Sequence, residues 1–287
     1  MNIAVLLTTY NRREKTISCL NSLKEQSMSS TISFEIYLTD DNSIDGTVKS
    51  ILEIFPDAYI YHGNGSLFWA GGMRNSWNEA IKKKFDYFLL LNDDTVLHVN
   101  AISVLLETSE RVFAKDLKPA ICIGSTSDFI TREISYGGKK LLSKSYLKSQ
   151  IVFSKTEILE CDLGNANIML VPKAIVNKIG ILSDKFTHGI ADYDYTLKAK
   201  KSGFGVYVAP GVLGQCTDDH GNNWKSKSTK LTERIKYLKS PKGLAYKEYL
   251  YFIRTHFPYY VPFAFFKLWL KTIFPVIWDQ FKVKKNQ

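Results

Sequence analysis

The sequence predicts an α/β protein with a mainly parallel sheet flanked by helices, followed by a helical C-terminal extension rich in basic and aromatic residues. Three observations carry that prediction. Over the first hundred residues, short apolar runs alternate with stretches of helical spacing, the pattern of βαβ units. Phe88-Leu89-Leu90-Leu91 is apolar at every position, as expected of a strand covered on both faces. Charge separates along the chain: residues 225–287 hold 14 Lys/Arg and 3 Asp/Glu, whereas residues 1–224 hold 24 and 25. The formal charge of +10 is thus a property of the tail.

Taken in order, Ile3–Thr8 is an apolar first strand, and Glu14–Gln26 spaces Ile17, Leu20 and Leu23 as a helix does. Phe34–Leu38 is a second strand, Thr47–Phe55 a helix, and Tyr59–Tyr61 a short strand. The glycines between Gly63 and Asn75 predict an irregular loop, with a helix following over Ser76–Lys84 and the buried strand over Tyr87–Leu91. Further on, Ala120–Ser125, Ile151–Phe153, Asn167–Val171 and Gly205–Ala209 have strand character. Lys173–Ile179 is a helix introduced by Pro172, and Tyr193–Ser202 one closed by Gly203. No linker divides residues 1–224, which are expected to form one domain with halves at about 1–97 and 98–224.

Composition narrows the setting. Four separated cysteines without a CxxC pair suit a reducing compartment, and the N-terminus lacks the basic and apolar pattern of a secretory leader. A membrane span needs about 18 apolar residues in a row, and none occurs. The expectation is a cytoplasmic protein.

Six segments carry candidate chemistry. Thr8-Thr9-Tyr10-Asn11-Arg12-Arg13 follows the first strand, where free backbone N–H groups, hydroxyls and the Arg12 guanidinium suit an anionic ligand or, equally, cap a helix. Thr39-Asp40-Asp41-Asn42-Ser43 follows the second strand, where a carboxylate such as Asp41 can accept hydrogen bonds from a base or ribose. The Gly63–Asn75 segment offers Gly71 for close backbone approach, Trp69 for stacking on a sugar and Arg74 for a phosphate. Its spacing is neither GxGxxG nor GxxxxGK[ST], which excludes those two nucleotide loops. Asn92-Asp93-Asp94 ends the buried strand with paired carboxylates, which read either as a solvated turn or as an oxygen site suited to Mg²⁺ or Mn²⁺. Asp192, near a helix start, is a capping residue or a general base, and His220 a possible third metal ligand.

In this order, TTYNR, TDDNSIDGT, GGMRN, LNDD and ADYDYTLKAKKSGF resemble the family 2 glycosyltransferases, which are inverting, nucleotide-sugar-dependent enzymes of the GT-A fold. GNGSLFWAGGMR is most similar to the bacterial branch that includes rhamnosyl- and galactofuranosyl-transferases of polysaccharide synthesis. The resemblance implies that Thr8, Tyr10 and Asp41 contact the nucleotide, Asp41 reading a pyrimidine imide, with Arg74 and the glycine loop near the diphosphate or donor sugar. It implies that Asp94 is a metal ligand, that Asp93 contacts sugar or ribose, that His220 completes the metal shell and that Asp192 is the base. Two departures stand out. Asn92 replaces the first acid of the family's Asp-x-Asp motif, and Ala191 replaces the acid before the base, which leaves Asp194 as an alternative.

The implied partners are a UDP- or dTDP-linked sugar donor and a glycan or lipid-linked acceptor of O-antigen or capsule synthesis. The tail's Lys/Arg and aromatic residues suit an anionic membrane surface on the inner face of the plasma membrane, with about Leu244–Phe257 packing on the body. Without a recognition module, and with a near-neutral body, nucleic acid is not an expected partner. A sugar-phosphate nucleotidyltransferase and a non-catalytic sugar-nucleotide-binding protein are the rival readings.

Overall fold

The computed structural model describes residues 1–143, 145–217 and 225–283. Its first half runs β1 (Asn2–Thr9), α1 (Arg13–Lys24), β2 (Ser33–Asp40), α2 (Thr47–Ile54), β3 (Tyr59–His62), α3 (Phe68–Ala80), β4 (Tyr87–Leu91), β5 (Val96–Leu97), α4 (Ala101–Asp116) and β6 (Ala120–Ser127). Then come β7 (Ile134–Tyr136), β8 (Gly138–Leu141), β9 (Ser149–Val152), β10 (Leu159–Glu160), β11 (Leu163–Gly164), β12 (Ile168–Pro172), α5 (Lys173–Ile179), α6 (Ala191–Lys201) and β13 (Gly205–Gln215). Four helices close the chain: α7 (Leu231–Lys239), α8 (Tyr246–His256), α9 (Val261–Ile273) and α10 (Val276–Val283).

The main sheet has the spine β10-β13-β6-β12-β4-β1-β2-β3. Neighbours β3, β2, β1 and β4 are parallel, as the βαβ reading requires. Strand β12 runs antiparallel to both β4 and β6. That reversal matters, because it brings the amino end of β12 to the edge where β1, β2 and β4 have their carboxyl ends. Ile168 pairs with Leu91, and Asn92 donates its N–H to the Asn167 carbonyl. A small antiparallel sheet, β11-β8-β9, stands beside the main one.

Both faces of the sheet are covered. Ala4, Leu6, Phe88 and Leu90 face a core shared with Trp77 of α3 and Tyr195 of α6. Ile3, Val5, Leu7, Leu89 and Leu91 face a second core with Leu20 of α1 and Leu105 of α4. This accounts for the unbroken apolar run of β4: alternate side chains enter different cores.

The structure departs from the sequence reading at several places. The glycine-rich segment is helical from Phe68 onward, so the loop is confined to its first residues. Gly72 lies so close to β1 that a Cβ there would sit 2.0 Å from Thr8 Oγ1, and this packing outweighs glycine's weak helix propensity. Residues Ala101–Asp116 form a helix where the sequence pattern predicts no element. Strand β13 continues past Ala209 to Gln215 through register shifts between Val208 and Gly214.

The extension begins by joining the body. Phe252, Ile253 and Phe257 are 0%, 0% and 2% exposed within the first core. Burying each contributes roughly 1.5–3 kcal/mol. Beyond them the surface changes character, and Tyr259, Phe263, Phe266 and Phe274 are exposed. No helix among the described residues is long and apolar enough to cross a membrane.

Candidate active site

A cavity of about 510 Å³ opens where the carboxyl ends of β1, β2 and β4 meet the amino end of β12. Eight residues expected from sequence line it: Thr8, Tyr10, Arg12, Asp41, Trp69, Asp93, Asp94 and Asp192. Four non-glycine residues around it have positive φ: Asn11 at 50°, Asn42 at 70°, Phe68 at 53° and Ile190 at 59°. Asparagine tolerates this region, whereas Phe and a β-branched Ile do not. Strain of roughly 1–3 kcal/mol per residue persists where surrounding structure enforces it, commonly at binding sites.

Each motif is held by its neighbours. Both oxygens of the Asp41 carboxylate accept backbone N–H groups: Oδ1 from Gly65 at 2.8 Å, Oδ2 from Leu67 at 2.9 Å and Phe68 at 3.1 Å. Asp41 therefore caps α3 from across the sheet edge and fixes the glycine loop. A Cβ on Gly63 would fall 2.3 Å from Asp41 Oδ1, so glycine is what lets the loop approach that carboxylate. Trp69 donates its indole N–H to Asn92 Oδ1 at 2.7 Å, which orients the ring toward the acid pair.

The acids themselves share one cation. Arg12 Nη1 lies 3.2 Å from Asp93 Oδ1 and 2.8 Å from Asp94 Oδ2. Burial, helped by the adjacent Asp94 charge and opposed by Arg12, raises the Asp93 pKa to about 6. Burial alone would lower the Arg12 pKa, but the two carboxylates outweigh it and raise it. Cys216 donates its thiol to Asp94 Oδ1 at 3.6 Å.

This arrangement fits a divalent cation. A guanidinium already bridges the two carboxylates, so the site stabilises positive charge between them, and its donors are hard oxygens. Among the described residues no group of three His, Cys, Asp or Glu converges. Two protein carboxylates with water and phosphate oxygens make a sufficient shell for Mg²⁺ or Mn²⁺. His220, the expected third ligand, lies outside the described residues.

Across the cavity, Asp192 occupies the first turn of α6, where a carboxylate is favoured by the helix dipole. Its Oδ1 accepts from the Tyr193 N–H at 2.8 Å, and its Oδ2 from the Ala166 N–H at 3.3 Å and Asn165 Nδ2 at 3.4 Å. Burial raises its pKa despite these hydrogen bonds and the Lys139 charge. The result is a carboxylate fixed in direction and more basic than an exposed one.

Three expected contacts sit elsewhere. Asp194 is fully buried and bound to His256 and Lys198, so it turns away from the cavity. The Arg74 guanidinium donates to the carbonyls of Ser183 and Phe186, anchoring the segment before His188 instead of lining the cavity. Gly71 is buried inside α3, packed against Leu67. His188 and Tyr193, from the same segment as Asp192, also line the cavity, as do Tyr136, Asn165 and Lys242, for which the sequence carries no expectation. Asn165 stands just before a recognisable strand, and Lys242 lies in the extension, so neither carried a local motif.

Comparison with known proteins agrees with this architecture. A family model described as glycosyl transferase family 2 matches residues 4–149. No curated protein matches. Among solved structures, S. aureus TarS is similar with a TM-score of 0.53 and 17% identity, over 76% of this chain and 37% of that one. S. aureus TarS 1–349 in complex with UDP gives 0.53 and 16%, covering 76% and 60%. The mannosyltransferase PcManGT from Pyrobaculum calidifontis, in complex with GDP-Man and Mn²⁺, gives 0.55 and 13%, covering 93% and 69%. The chain thus spans only 37% to 60% of the length of those TarS chains, and identities this low speak to the fold alone. The family model reaches over half of the 287 residues, from the first strand through the acid pair, and by that match the chain belongs to glycosyl transferase family 2.

Proposed function

We propose that the protein is an inverting transferase moving a sugar from a nucleoside-diphosphate sugar, UDP- or dTDP-linked, to a hydroxyl of a glycan or lipid-linked acceptor. One observation carries the reading: Asp192, fixed by Asn165 and the Ala166 N–H, and the Asp93–Asp94 pair line the same cavity. A base for an acceptor hydroxyl and an oxygen-donor site for a diphosphate are the two groups that such a transfer requires.

In this mechanism Asp192 accepts the acceptor hydroxyl's proton as the oxygen attacks the anomeric carbon, and its raised pKa favours that transfer. Asp93 and Asp94 would hold Mg²⁺ or Mn²⁺, which neutralises charge on the departing nucleoside diphosphate. Thr8, Tyr10 and the Asp41-capped loop border the nucleotide, and Trp69, locked by Asn92, offers a ring face to the sugar. A single displacement inverts the anomeric centre. A double displacement needs a second carboxylate against the sugar's other face; Asp194, bound to His256 and Lys198, is not presented for that task.

The proposed division is a catalytic unit over 1–224 and an extension over 225–287. The proposed setting is synthesis of bacterial surface polysaccharide, O-antigen or capsule, at the inner face of the plasma membrane. The exposed aromatics of α9 beside Lys267 support a membrane contact. The test is incubation with Mn²⁺ and a panel of UDP-, dTDP- and GDP-sugars, measuring nucleoside diphosphate release with and without acceptors. Release that depends on donor and acceptor is expected. Binding without turnover points to a sugar-nucleotide-binding protein, and pyrophosphate release from a nucleoside triphosphate points to a nucleotidyltransferase.

A further inference from the structure

The C-terminal extension does more than pack on the body, because it sends one side chain to the cavity. Lys242 lies on the turn between α7 and α8, lines the cavity, and has its ammonium 5.9 Å from the centre of the Phe68 ring. Phe68 in turn packs edge-on against His188, with ring centres 6.2 Å apart. Phe68, His188 and Lys242 thus border the cavity beside the Asp41-capped loop.

The turn that presents Lys242 is a built structure. The Gly243 N–H is donated to the Ser240 carbonyl at 2.9 Å, that of Leu244 to Tyr237 at 3.1 Å, and that of Ala245 to Ser240 at 3.1 Å. A Cβ at position 243 would lie 2.0 Å from the Tyr237 carbonyl oxygen, so only glycine allows the turn to close. The helix that follows is fastened to the cavity's rim: Glu248 accepts hydrogen bonds from the N–H of Thr187 at 3.0 Å and from its hydroxyl at 2.5 Å. The Thr187 carbonyl accepts the Ala70 N–H from α3 at 3.0 Å. Lys242 is therefore set in place from both sides.

Charge says what it faces. Asp41, Asp93, Asp94 and Asp192 line the cavity, and the cationic side chains that answer them are Arg12 and Lys242. Arg12 is engaged by Asp93 and Asp94. Burial lowers the pKa of His188, and the charges of Lys242 and Arg12 lower it further, so it adds little positive charge. Among the described residues Lys242 has no carboxylate partner.

We infer that Lys242 binds the donor's diphosphate, so that the C-terminal extension completes the donor site. This rests on the transferase reading above. Its ammonium would meet phosphate oxygens in the cavity it shares with the Asp93–Asp94 carboxylates, a charge-assisted contact that stabilises bound diphosphate and leaving group alike.

The experiment is calorimetric titration of the full chain with UDP, dTDP and GDP in Mn²⁺, alongside the matching nucleosides, for the natural protein and for Lys242→Ala and Lys242→Arg. Loss of one charge-assisted contact predicts a roughly tenfold or greater weakening of diphosphate binding in Lys242→Ala, with nucleoside binding unchanged and Lys242→Arg near the natural value. The side chain is exposed, so an unchanged unfolding midpoint is expected to accompany the loss. Diphosphate affinity within twofold of the natural chain overturns the assignment. So does an unchanged diphosphate affinity paired with a raised KM for a phosphate-bearing acceptor, which would give Lys242 to the acceptor. A natural chain that turns over donors while Lys242→Ala matches it defeats only this inference. A natural chain that binds no nucleoside diphosphate removes the transferase reading as well.

Discussion

His256 Nε2 lies 2.8 Å from Asp194 Oδ1, with both side chains buried. The bond joins α8 of the extension to α6, two residues beyond Asp192. On the other side Lys198 Nζ approaches Asp194 Oδ2 at 2.7 Å, so the carboxylate is held between two donors.

Removing His256 should loosen that joint. His256→Ala is expected to lower stability by about 2–3 kcal/mol, the worth of a buried hydrogen bond to a charged group. Burial by itself would raise the Asp194 pKa, but the hydrogen bonds and charges of His256 and Lys198 outweigh it and hold it below the ordinary value. A depressed carboxylate stabilises the fold above its unfolded pKa, and that stability is lost as pH falls through the lower folded value. Denaturant melts of the natural chain and Asp194→Asn should thus converge only in acid, below about pH 3.9. A constant gap between the two down to strong acid would exclude this account.

Asp192→Asn should cost about 10²–10⁴-fold in kcat and leave nucleoside diphosphate affinity within twofold. Since burial raises the Asp192 pKa, the acid limb of the natural enzyme's kcat profile should lie above the ordinary carboxylate value of about 3.9, activity falling as pH drops through it. Full turnover in Asp192→Asn would remove the residue from the reaction.

Arg12 is the cation that Asp93 and Asp94 share. Arg12→Ala leaves the acid pair unscreened and should lower the metal-free unfolding midpoint, by an amount equivalent to about 1–3 kcal/mol. Mn²⁺ should then raise that midpoint more in the variant than in the natural chain, because binding restores what the guanidinium supplied. Asp94→Ala, or chelation of the metal, should abolish turnover. Equal Mn²⁺ shifts in the two chains would argue against a metal between these carboxylates.

Tyr259, Phe263 and Phe266 are 93%, 58% and 69% exposed on and just before α9. The full chain should co-sediment with anionic vesicles and not with neutral ones. Replacing Phe263 and Phe266 by Ser should lower partitioning at least tenfold, given roughly 1.5–3 kcal/mol per fully buried aromatic side chain. Unchanged sedimentation after deletion of residues 258–287 would rule out a membrane role for this surface.

Local patterns made much of the cavity edge legible. The apolar run of β4, the alternation of strand and helix, and the polar ends of β1, β2 and β4 fixed which residues meet at the edge. What escaped depended on distance along the chain. The reversal of β12, which brings Asn165 and Ala166 to Asp192, leaves no periodic trace. Nor do the contacts between Arg12 and Asp94, Thr187 and Glu248, or Asp194 and His256, each separated by more than sixty residues. Gly71 and Gly72 misdirected the reading for a physical reason: in isolation glycine disfavours a helix, while here it permits one to lie against Thr8.

Asn92 illustrates how finely such an edge can vary. Its side-chain oxygen takes the Trp69 indole hydrogen at 2.7 Å, and the carboxylate of an aspartate would accept the same hydrogen. Substitution at this one position therefore changes the cavity by a full unit of charge while the aromatic platform above it keeps its orientation. Charge and ring orientation are separately adjustable at position 92.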